Sequence, residues 1–348
     1  MQKPITIAGI TIQPGTRRSI ELPIPSFYTH TSASMPVHVI HGNRPGPCLV
    51  ICAAIHGDEL NGVEIIRRVL AHKTLNNIKG TLIAIPIVNV FGFVSRSRYL
   101  PDRRDLNRSF PGSKSGSMAS RLANILMTEI IDHCTHVIDL HTGTVGRENL
   151  PQIRACLRVD NETEAIARAF SVPVIINSEL RDGSLREAAR ENNIPALLYE
   201  AGEALRFDEV SIRAGVRGIL GVMYYLGMRP KSRKRKEYKT LISRSTQWIR
   251  APESGILRSV VPLGTLVKKG EILAYINDPL GEIEMRVLSS VSGIVIGRTN
   301  LPLVHEGEAI FNIAKFSKEE EISNYIENDH YELDPETDEI KSKQVPLV

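Results

Sequence analysis

Two histidines and one glutamate in this sequence have the residue types and spacing of a metal site. His56 and Glu59 stand three positions apart in a His-Gly-Asp-Glu stretch, and His141 follows in an Asp-Leu-His-Thr stretch. Two imidazoles and a carboxylate form a ligand set for a catalytic zinc ion that keeps one position for water. A histidine three residues before a glutamate also occurs at helix starts without a metal. The later histidine favours a site for one Zn2+ per chain, because nitrogen and oxygen ligands suit this ion.

Three other polar residues have the chemistry that a hydrolase needs beside such a metal. Glu200, in a Leu-Tyr-Glu-Ala-Gly stretch, can act as the general base that takes a proton from water. Asn107 and Arg108 lie between the two ligand stretches, and an arginine can hold a substrate carboxylate through two parallel hydrogen bonds. A surface turn with a salt-bridged arginine is the alternative interpretation of this pair. Together these residues predict a zinc hydrolase for acidic amides.

The predicted strands explain how these residues can meet. Residues 48–55 are a continuous apolar run, typical of a strand buried on both faces, and His56 follows it directly. Two more predicted strands end at His141 and Glu200. Because ligands of open α/β sheets bind at the carboxyl edge, these strand ends predict one common pocket. Asp139 shares a strand face with His141 and can orient its ring, although a capping or turn carboxylate is an equal alternative.

Strands and helices alternate along the first two thirds of the chain. Strands are predicted at 48–55, 81–90, 135–140 and 195–199, and helices at 62–72, 120–133, 162–170, 184–192 and 210–226. This alternation predicts an α/β domain with a mixed, mostly parallel sheet flanked by helices. We assign this hydrolase domain to residues 1–228.

The chain changes character after residue 228. We interpret residues 229–246 as a basic interdomain linker, with a nucleic-acid patch as the alternative, because the basic run lacks interleaved aromatic residues. Residues 247–316 alternate short apolar runs with glycine turns. Their Leu-Val-Lys-Lys-Gly-Glu and Ser-Gly-Ile-Val turns resemble the barrel-sandwich domains that carry lipoyl or biotinyl groups. Those carriers have a lysine at the hairpin tip, but 276–282 has none, so we expect a packing or rim-forming all-β domain. The acidic tail, 317–348, is expected to be mobile or loosely docked.

Composition and charge argue against several functional classes. The 348 residues are 42% hydrophobic and 24% charged, as in an ordinary soluble protein. The net charge of +4 comes without a basic face interleaved with aromatics, which argues against nucleic acid. No run approaches the roughly 20 apolar residues of a membrane span. The first residues lack a signal peptide, and the cysteines fit no disulfide framework, so we expect a cytoplasmic protein. A homo-oligomer is possible, but no pattern sets its size.

Four motifs in this order resemble the succinylglutamate desuccinylase and aspartoacylase family, which belongs with the zinc carboxypeptidases (M14-type). They are His-Gly-Asp-Glu, Asp-Leu-Asn-Arg-x-Phe-Pro-Gly, Asp-Leu-His-Thr and the late Glu-x-Gly, and they fall within about residues 40–230. The resemblance implies that His56, Glu59 and His141 are the zinc ligands. It implies that Glu200 is the general base and later the acid, and that Asn107 and Arg108 bind the free carboxylate of the substrate.

The resemblance also implies an arginine that polarises the scissile carbonyl, and Arg98 is the matching residue. The stretch from Arg98 to Asn107 is two residues longer here than in aspartoacylase-like members. Arg96, Arg103 and Arg104 are therefore competitors for this role.

The leading interpretation is a zinc-dependent amidohydrolase that removes the acyl group from a small N-acyl amino acid or related amine. The first rival is a metallocarboxypeptidase acting on a peptide or peptide-like tail, because it would use the same residues. The second rival is a non-enzymatic carrier or scaffold built on the β-rich region. No motif specifies the acyl group. Arg186 or Arg190 is a candidate for contacting a second substrate carboxylate, but solvated helix residues are the favoured interpretation of at least two of Arg181, Arg186 and Arg190.

Overall fold

The computed structural model describes residues 2–157, 160–229 and 240–316. The basic stretch 230–239 of the expected linker and the whole of the expected acidic tail lie outside the described residues. None of the described helices combines the length and the apolar character that crossing a lipid bilayer requires.

A mixed β-sheet forms the centre of the molecule. Its middle is a parallel block in the spatial order β6, β5, β7, β10, with the bounds Lys79–Ile85, Arg44–Ala53, His136–Gly143 and Ala196–Glu203. Antiparallel strands extend it on both sides: β4 (Ala33–His41) and β3 (Thr16–Ile24) on one, and β8 (Arg147–Ala155) with its parallel neighbour β9 (Val174–Asn177) on the other. Val50 and Ile51 are both completely buried, so β5 is covered on both faces, as its apolar run predicts.

Helices cover the two faces of this sheet. Their bounds are α1 Asn61–Ala71, α2 Val90–Ser95, α3 Met118–Glu129, α4 Asn161–Phe170, α5 Leu185–Glu191 and α6 Glu209–Tyr225. Helices α3 and α5 pack in one hydrophobic core, and α1, α4 and α6 pack in the core on the opposite face. The five helices predicted from apolar spacing are α1, α3, α4, α5 and α6, and their bounds agree to within about one turn. Short 3-10 helices occupy Lys73–Asn77, Leu106–Arg108 and Ile131–His133.

Several elements differ from the sequence-based expectation. The strand predicted at 81–90 ends at Ile85, because Asn89 caps α2 by accepting a hydrogen bond from the Gly92 backbone N–H. Strands β8 and β9 were not predicted. Strand β8 contains Pro151, which normally indicates an edge strand, yet β8 is internal. Pro151 is tolerated because the pairing with β10 is irregular between Glu200 and Gly202.

The β-rich C-terminal region is joined to the central sheet by backbone pairing. Strand β17 (Gly293–Thr299) runs antiparallel to β8, and β19 (Ala309–Lys315) and β12 (Ser245–Arg250) continue the sheet outward. A separate four-stranded sheet contains β16 (Glu284–Leu288), β15 (Ile272–Asn277), β13 (Gly255–Ser259) and β18 (Leu303–Val304). Between them lies a hydrophobic core of their own that includes Leu273 and Phe311.

The remaining strands are short. Strand β11 (Leu241–Ser243) lies in the segment assigned to the linker and pairs in parallel with β9. Strand β14 (Leu266–Val267) pairs with β17, and β1 (Ile5–Ile7) pairs with β2 (Ile10–Ile12) in a separate hairpin. The β-rich region thus adds strands directly beside β8, close to the edge of the sheet that carries the site residues.

Candidate active site

The three predicted metal ligands converge. Nδ1 of His56 lies 2.7 Å from one carboxylate oxygen of Glu59, and Nδ1 of His141 lies 2.7 Å from the other. Their candidate donor atoms all lie within 4.8 Å of one another, and the three side chains are buried. Two nitrogens and a carboxylate gathered in this way can hold a metal ion, and this donor set fits zinc.

Two of the predicted site residues, His141 and Glu200, lie within strands, whereas the sequence predicts both just beyond a strand end. His141 lies inside β7 and Glu200 lies inside β10, because pairing of Glu203 with Gly143 prolongs both strands. His56 does follow β5, in the loop before α1. A Cβ at Gly57 would lie 1.9 Å from the carbonyl carbon of Gly92, so glycine is required where this loop packs against α2.

Each candidate ligand histidine has a carboxylate at its other ring nitrogen. Nε2 of His141 lies 2.7 Å from Asp139, and Nε2 of His56 lies 3.1 Å from Asp105. Such partners hold a proton on Nε2, fix the ring orientation and leave the Nδ1 lone pair for a metal. The sequence suggested this contact for Asp139 but not for Asp105. Asp105 also accepts from the Asn107 backbone N–H at 2.9 Å, as the N-cap of the 3-10 helix.

The carboxylates make this a site for positive charge. Burial lowers the pKa of His141, but Asp139 and Glu59 outweigh burial, and the pKa lies well above its usual value. Burial also opposes the rise in the pKa of His56, which Glu59 and Asp105 produce. For Glu59, burial raises the pKa, but the two histidines lower it by more, so its carboxylate stays ionised. The same charges that hold protons here will stabilise a bound cation.

Arg98 lies beside the candidate metal-binding trio of His56, Glu59 and His141. Its Nη1 is 3.2 Å from Nδ1 of His56 and 3.5 Å from Glu59, and its Nη2 donates to Asp105 at 2.9 Å. The competing arginines are all exposed: Arg96, Arg103 and Arg104. Arg98 is therefore the arginine of this segment that the fold brings to the histidines.

The expected carboxylate clamp is less fully formed. Asn107 is buried, and its Oδ1 accepts a hydrogen bond from the Leu185 backbone N–H at the start of α5, at 3.0 Å. Arg108 is exposed, and its Nη1 donates to the backbone carbonyl of Asn107. The loop therefore binds α5 through Asn107, and the guanidinium of Arg108 lies against its own loop.

Glu200 stands directly opposite His141 in the parallel pairing of β10 with β7, which places both side chains on one face of the sheet. Its carboxylate accepts a hydrogen bond from Nε of Arg154 on β8, at 2.5 Å. Sequence analysis did not single out Arg154, because β8 was not predicted. The signal was a short alternation in which polar Gln152 and Arg154 flank the fully buried Ile153.

Arg186, on the first turn of α5, is almost completely buried near the same face. Its Nη1 donates to Ser178 at 3.2 Å, whereas its Nε has no hydrogen-bond partner among the described residues. Burial, together with the charge of Arg154, lowers the pKa of Arg186 to about 10, and the carboxylates of Asp139 and Glu200 offset this shift only in part. Arg190, the other arginine considered on α5, is exposed.

Known proteins are similar to this chain in sequence and in fold. A 309-residue alignment with the N-alpha-acetyl-L-2,4-diaminobutyric acid deacetylase of Halomonas elongata shows 24% identity and covers 85% of this chain and 90% of that protein. The product-bound structure of the ectoine utilization protein EutE (DoeB) from Ruegeria pomeroyi has a TM-score of 0.78 at 23% identity, covering 89% of this chain and 98% of that one. The structure of a succinylglutamate desuccinylase/aspartoacylase from Rhodobacter sphaeroides has a TM-score of 0.75 at 23% identity, covering 85% and 95%.

A family model of a catalytic domain matches more than half of the chain. The profile of the succinylglutamate desuccinylase/aspartoacylase catalytic domain matches residues 45–226, which include the three candidate metal ligands, Arg98, Arg154 and Glu200. The chain therefore belongs to the succinylglutamate desuccinylase/aspartoacylase family and is a hydrolase of amide bonds.

Proposed function

We propose that this protein is a cytoplasmic, zinc-dependent deacylase that hydrolyses the amide bond of a small N-acyl amino acid or related amine. The observation that carries the proposal is the position of Glu200, which stands opposite His141 in the sheet, beside the His56–Glu59–His141 trio. A general base next to a metal-binding trio is the arrangement that hydrolysis by an activated water requires. The relative named a deacetylase supports an acyl-amino-acid substrate over a peptide.

In this proposal His56, Glu59 and His141 hold the metal. When bound, zinc lowers the pKa of water towards about 7 and polarises the amide carbonyl. Glu200 takes a proton from the attacking water and returns it to the leaving nitrogen, so that one carboxylate serves as base and then as acid. Arg98 stabilises the negative charge that develops on the carbonyl oxygen, because its guanidinium lies within 3.5 Å of the trio.

Two regions are proposed to recognise substrate carboxylates. Asn107 offers its amide nitrogen and Arg108 its guanidinium to the free carboxylate, once Arg108 leaves the carbonyl of Asn107. Arg186 is the candidate for a second carboxylate, because a buried guanidinium with an unpaired Nε gains free energy when an anion binds it. A substrate with two carboxylates fits this charge distribution better than one with a side-chain ammonium group.

The chain is divided, in this proposal, into a zinc-carboxypeptidase-like hydrolase domain (1–228), a basic linker (229–246), a barrel-sandwich module (247–316) and an acidic tail (317–348). The pairing of β17 with β8 supports a rim role for the module, because β8 carries Arg154 beside Glu200. A rim that narrows the cleft favours small substrates.

The proposal is tested by zinc content and by turnover of a substrate panel. The panel contains N-succinyl-L-glutamate, N-acetyl-L-aspartate and N-acetyl-L-2,4-diaminobutyrate, beside short peptides with free carboxyl termini. About one zinc per chain and release of an amino acid from an acyl substrate are expected. Cleavage of peptides alone would move the protein to the metallocarboxypeptidase interpretation. A folded protein that neither binds nor is activated by zinc would overturn the assignment of the trio.

A further inference from the structure

We infer that Arg154 is a positioning residue for Glu200: it holds one carboxylate oxygen of the proposed base and so fixes the direction of the other. The inference rests on the proposed role of Glu200. It adds a residue on β8, a strand that supplies none of the metal ligands.

The geometry places Arg154 diagonally across from Glu200. In the antiparallel pairing of β10 with β8, Glu200 faces Gln152 directly and Arg154 faces Leu198. Residues two apart on a strand point to the same face, so Arg154 and Glu200 share the face that also carries His141. The contact of 2.5 Å joins Nε of Arg154 to Oε2 of Glu200, and the other carboxylate oxygen stays free for the proton of water.

The sheet fixes the backbone of Glu200 but not its carboxylate. Backbone pairing on both sides, to β7 and β8, holds the Cα position, whereas a glutamate side chain has three rotatable bonds. Within the described part of the chain, Arg154 is the one hydrogen-bond partner of the Glu200 carboxylate. Without Arg154, the carboxylate is therefore free to populate several rotamers.

The charge around Arg154 supports the same orientation. The buried guanidinium of Arg186 lies close enough for the two positive charges to interact, and their repulsion disfavours rotation of Arg154 towards Arg186. The side chains of Arg154 and Glu200 are only 21% and 20% exposed, so solvent screens their ion pair less than a surface pair. Glu200 is the carboxylate that neutralises Arg154 on this face.

The competing explanation is a salt bridge that only stabilises the sheet. The strands β8 and β10 are also joined by backbone pairing at four positions, so this contact is not their sole connection. A stabilising role predicts a change in melting temperature with unaltered kinetics. A positioning role predicts a fall in kcat with the KM and the zinc content preserved.

The experiment compares zinc-loaded Arg154→Gln, Arg154→Lys, Glu200→Gln and the double variant Arg154→Gln/Glu200→Gln with the wild type. We expect Arg154→Gln to lower kcat about 10- to 100-fold, because a misplacement of about 1 Å can cost a factor of that size. Arg154→Lys should recover part of the loss, because a lysine can donate to the same oxygen. In the Glu200→Gln background, Arg154→Gln should lower kcat no further, because the two residues act as a unit.

The matched control is Arg298→Gln, which breaks another cross-strand ion pair to β8, between Arg298 and Glu148 at 3.3 Å. It should leave kcat unchanged. If the effects of the two single substitutions on kcat simply multiply in the double variant, the inference is overturned. An inactive wild type would count against the proposed function instead. If the wild type is inactive, crystal structures of the wild type and of Arg154→Gln test the inference. Glu200 should adopt several rotamers in Arg154→Gln, and a single rotamer unchanged from the wild type would overturn the inference.

Discussion

Asp139 contacts the ring of His141 at Nε2, 2.7 Å away, on the side opposite the 2.7 Å contact between Nδ1 and Glu59. The histidine is thus held between two buried carboxylates, of which one is a candidate metal ligand and the other fixes the ring. His56 is held in a similar way, between Glu59 and the partly buried Asp105.

The Asp139 contact predicts weaker zinc binding when it is lost. Asp139→Asn should lower zinc affinity about 10- to 100-fold, because the amide neither holds the ring as firmly nor raises its basicity. Competition with a chromogenic chelator measures this. Asp132→Asn, which alters the hydrogen bond from Asn192 at 2.7 Å, is the control and should bind zinc normally. Equal zinc affinity in both variants would show that Asp139 does not support the ligand.

Removing the proposed base, Glu200, should separate metal binding from turnover. Glu200→Gln should keep about one zinc per chain and lose about 100- to 10,000-fold in kcat, the range for loss of general acid–base catalysis. Glu203→Gln is the control. Glu203 lies on the same strand as Glu200, but its carboxylate accepts a hydrogen bond from the Gly146 backbone N–H at 2.8 Å. Turnover of Glu200→Gln within tenfold of the wild type would remove Glu200 from the mechanism.

The buried charge of Arg186 should lower the stability of the fold while it favours binding of a second substrate carboxylate. Because burial lowers the pKa of Arg186 to about 10, the charged side chain destabilises the folded state below that pH. Arg186→Met should therefore raise the melting temperature and increase the free energy of unfolding by about 1–3 kcal/mol. The same variant should lose kcat/KM for N-succinyl-L-glutamate by at least about tenfold, and less for a monocarboxylate such as N-acetyl-L-alanine.

The control for Arg186 is Arg168→Met, which removes an exposed arginine that pairs with Glu164 at 2.8 Å. It should change neither property. An equal loss on both substrates with Arg186→Met would contradict selective recognition of a second carboxylate.

The ion pair between α1 and α6 predicts a dependence of stability on acid pH. Hydrogen bonds from Arg68, at 2.7 and 2.8 Å, lower the pKa of Glu209 from 4.5 to about 2. A carboxylate with a lowered pKa stabilises the fold above its unfolded pKa, and this contribution disappears as the pH falls towards the folded pKa. The Glu209 side chain is about half exposed, so we expect the ion pair to contribute less than about 1 kcal/mol to the free energy of unfolding.

Melting temperatures of the wild type and Glu209→Gln measure this contribution. The wild type should be the more stable at about pH 6, and the difference should vanish between about pH 4.5 and pH 2. Glu164→Gln, in an exposed pair within α4, is the comparison and should change stability less. A constant difference across this range would mean that the ion pair is not its origin.

The sequence by itself determined the candidate ligands, the five main helices and the four parallel strands β5, β6, β7 and β10 at the middle of the central sheet. These follow from local properties: apolar runs and helical spacing specify each element, and His56, Glu59, His141 and Glu200 lie in short motifs near strand ends. The family followed from the same motifs, since their order along the chain is itself the signature, and the family profile over residues 45–226 confirms it.

Tertiary structure decided what surrounds those motifs. The contact of Arg154 with Glu200 joins positions 46 residues apart through the pairing of β8 with β10, and the irregular pairing where Pro151 lies is visible only once both strands are placed. The burial of Arg186, and the joining of β17 to β8, likewise depend on which segments become neighbours. Sequence patterns report the period of one element, whereas these contacts depend on the register between elements, which the packing of the whole sheet sets.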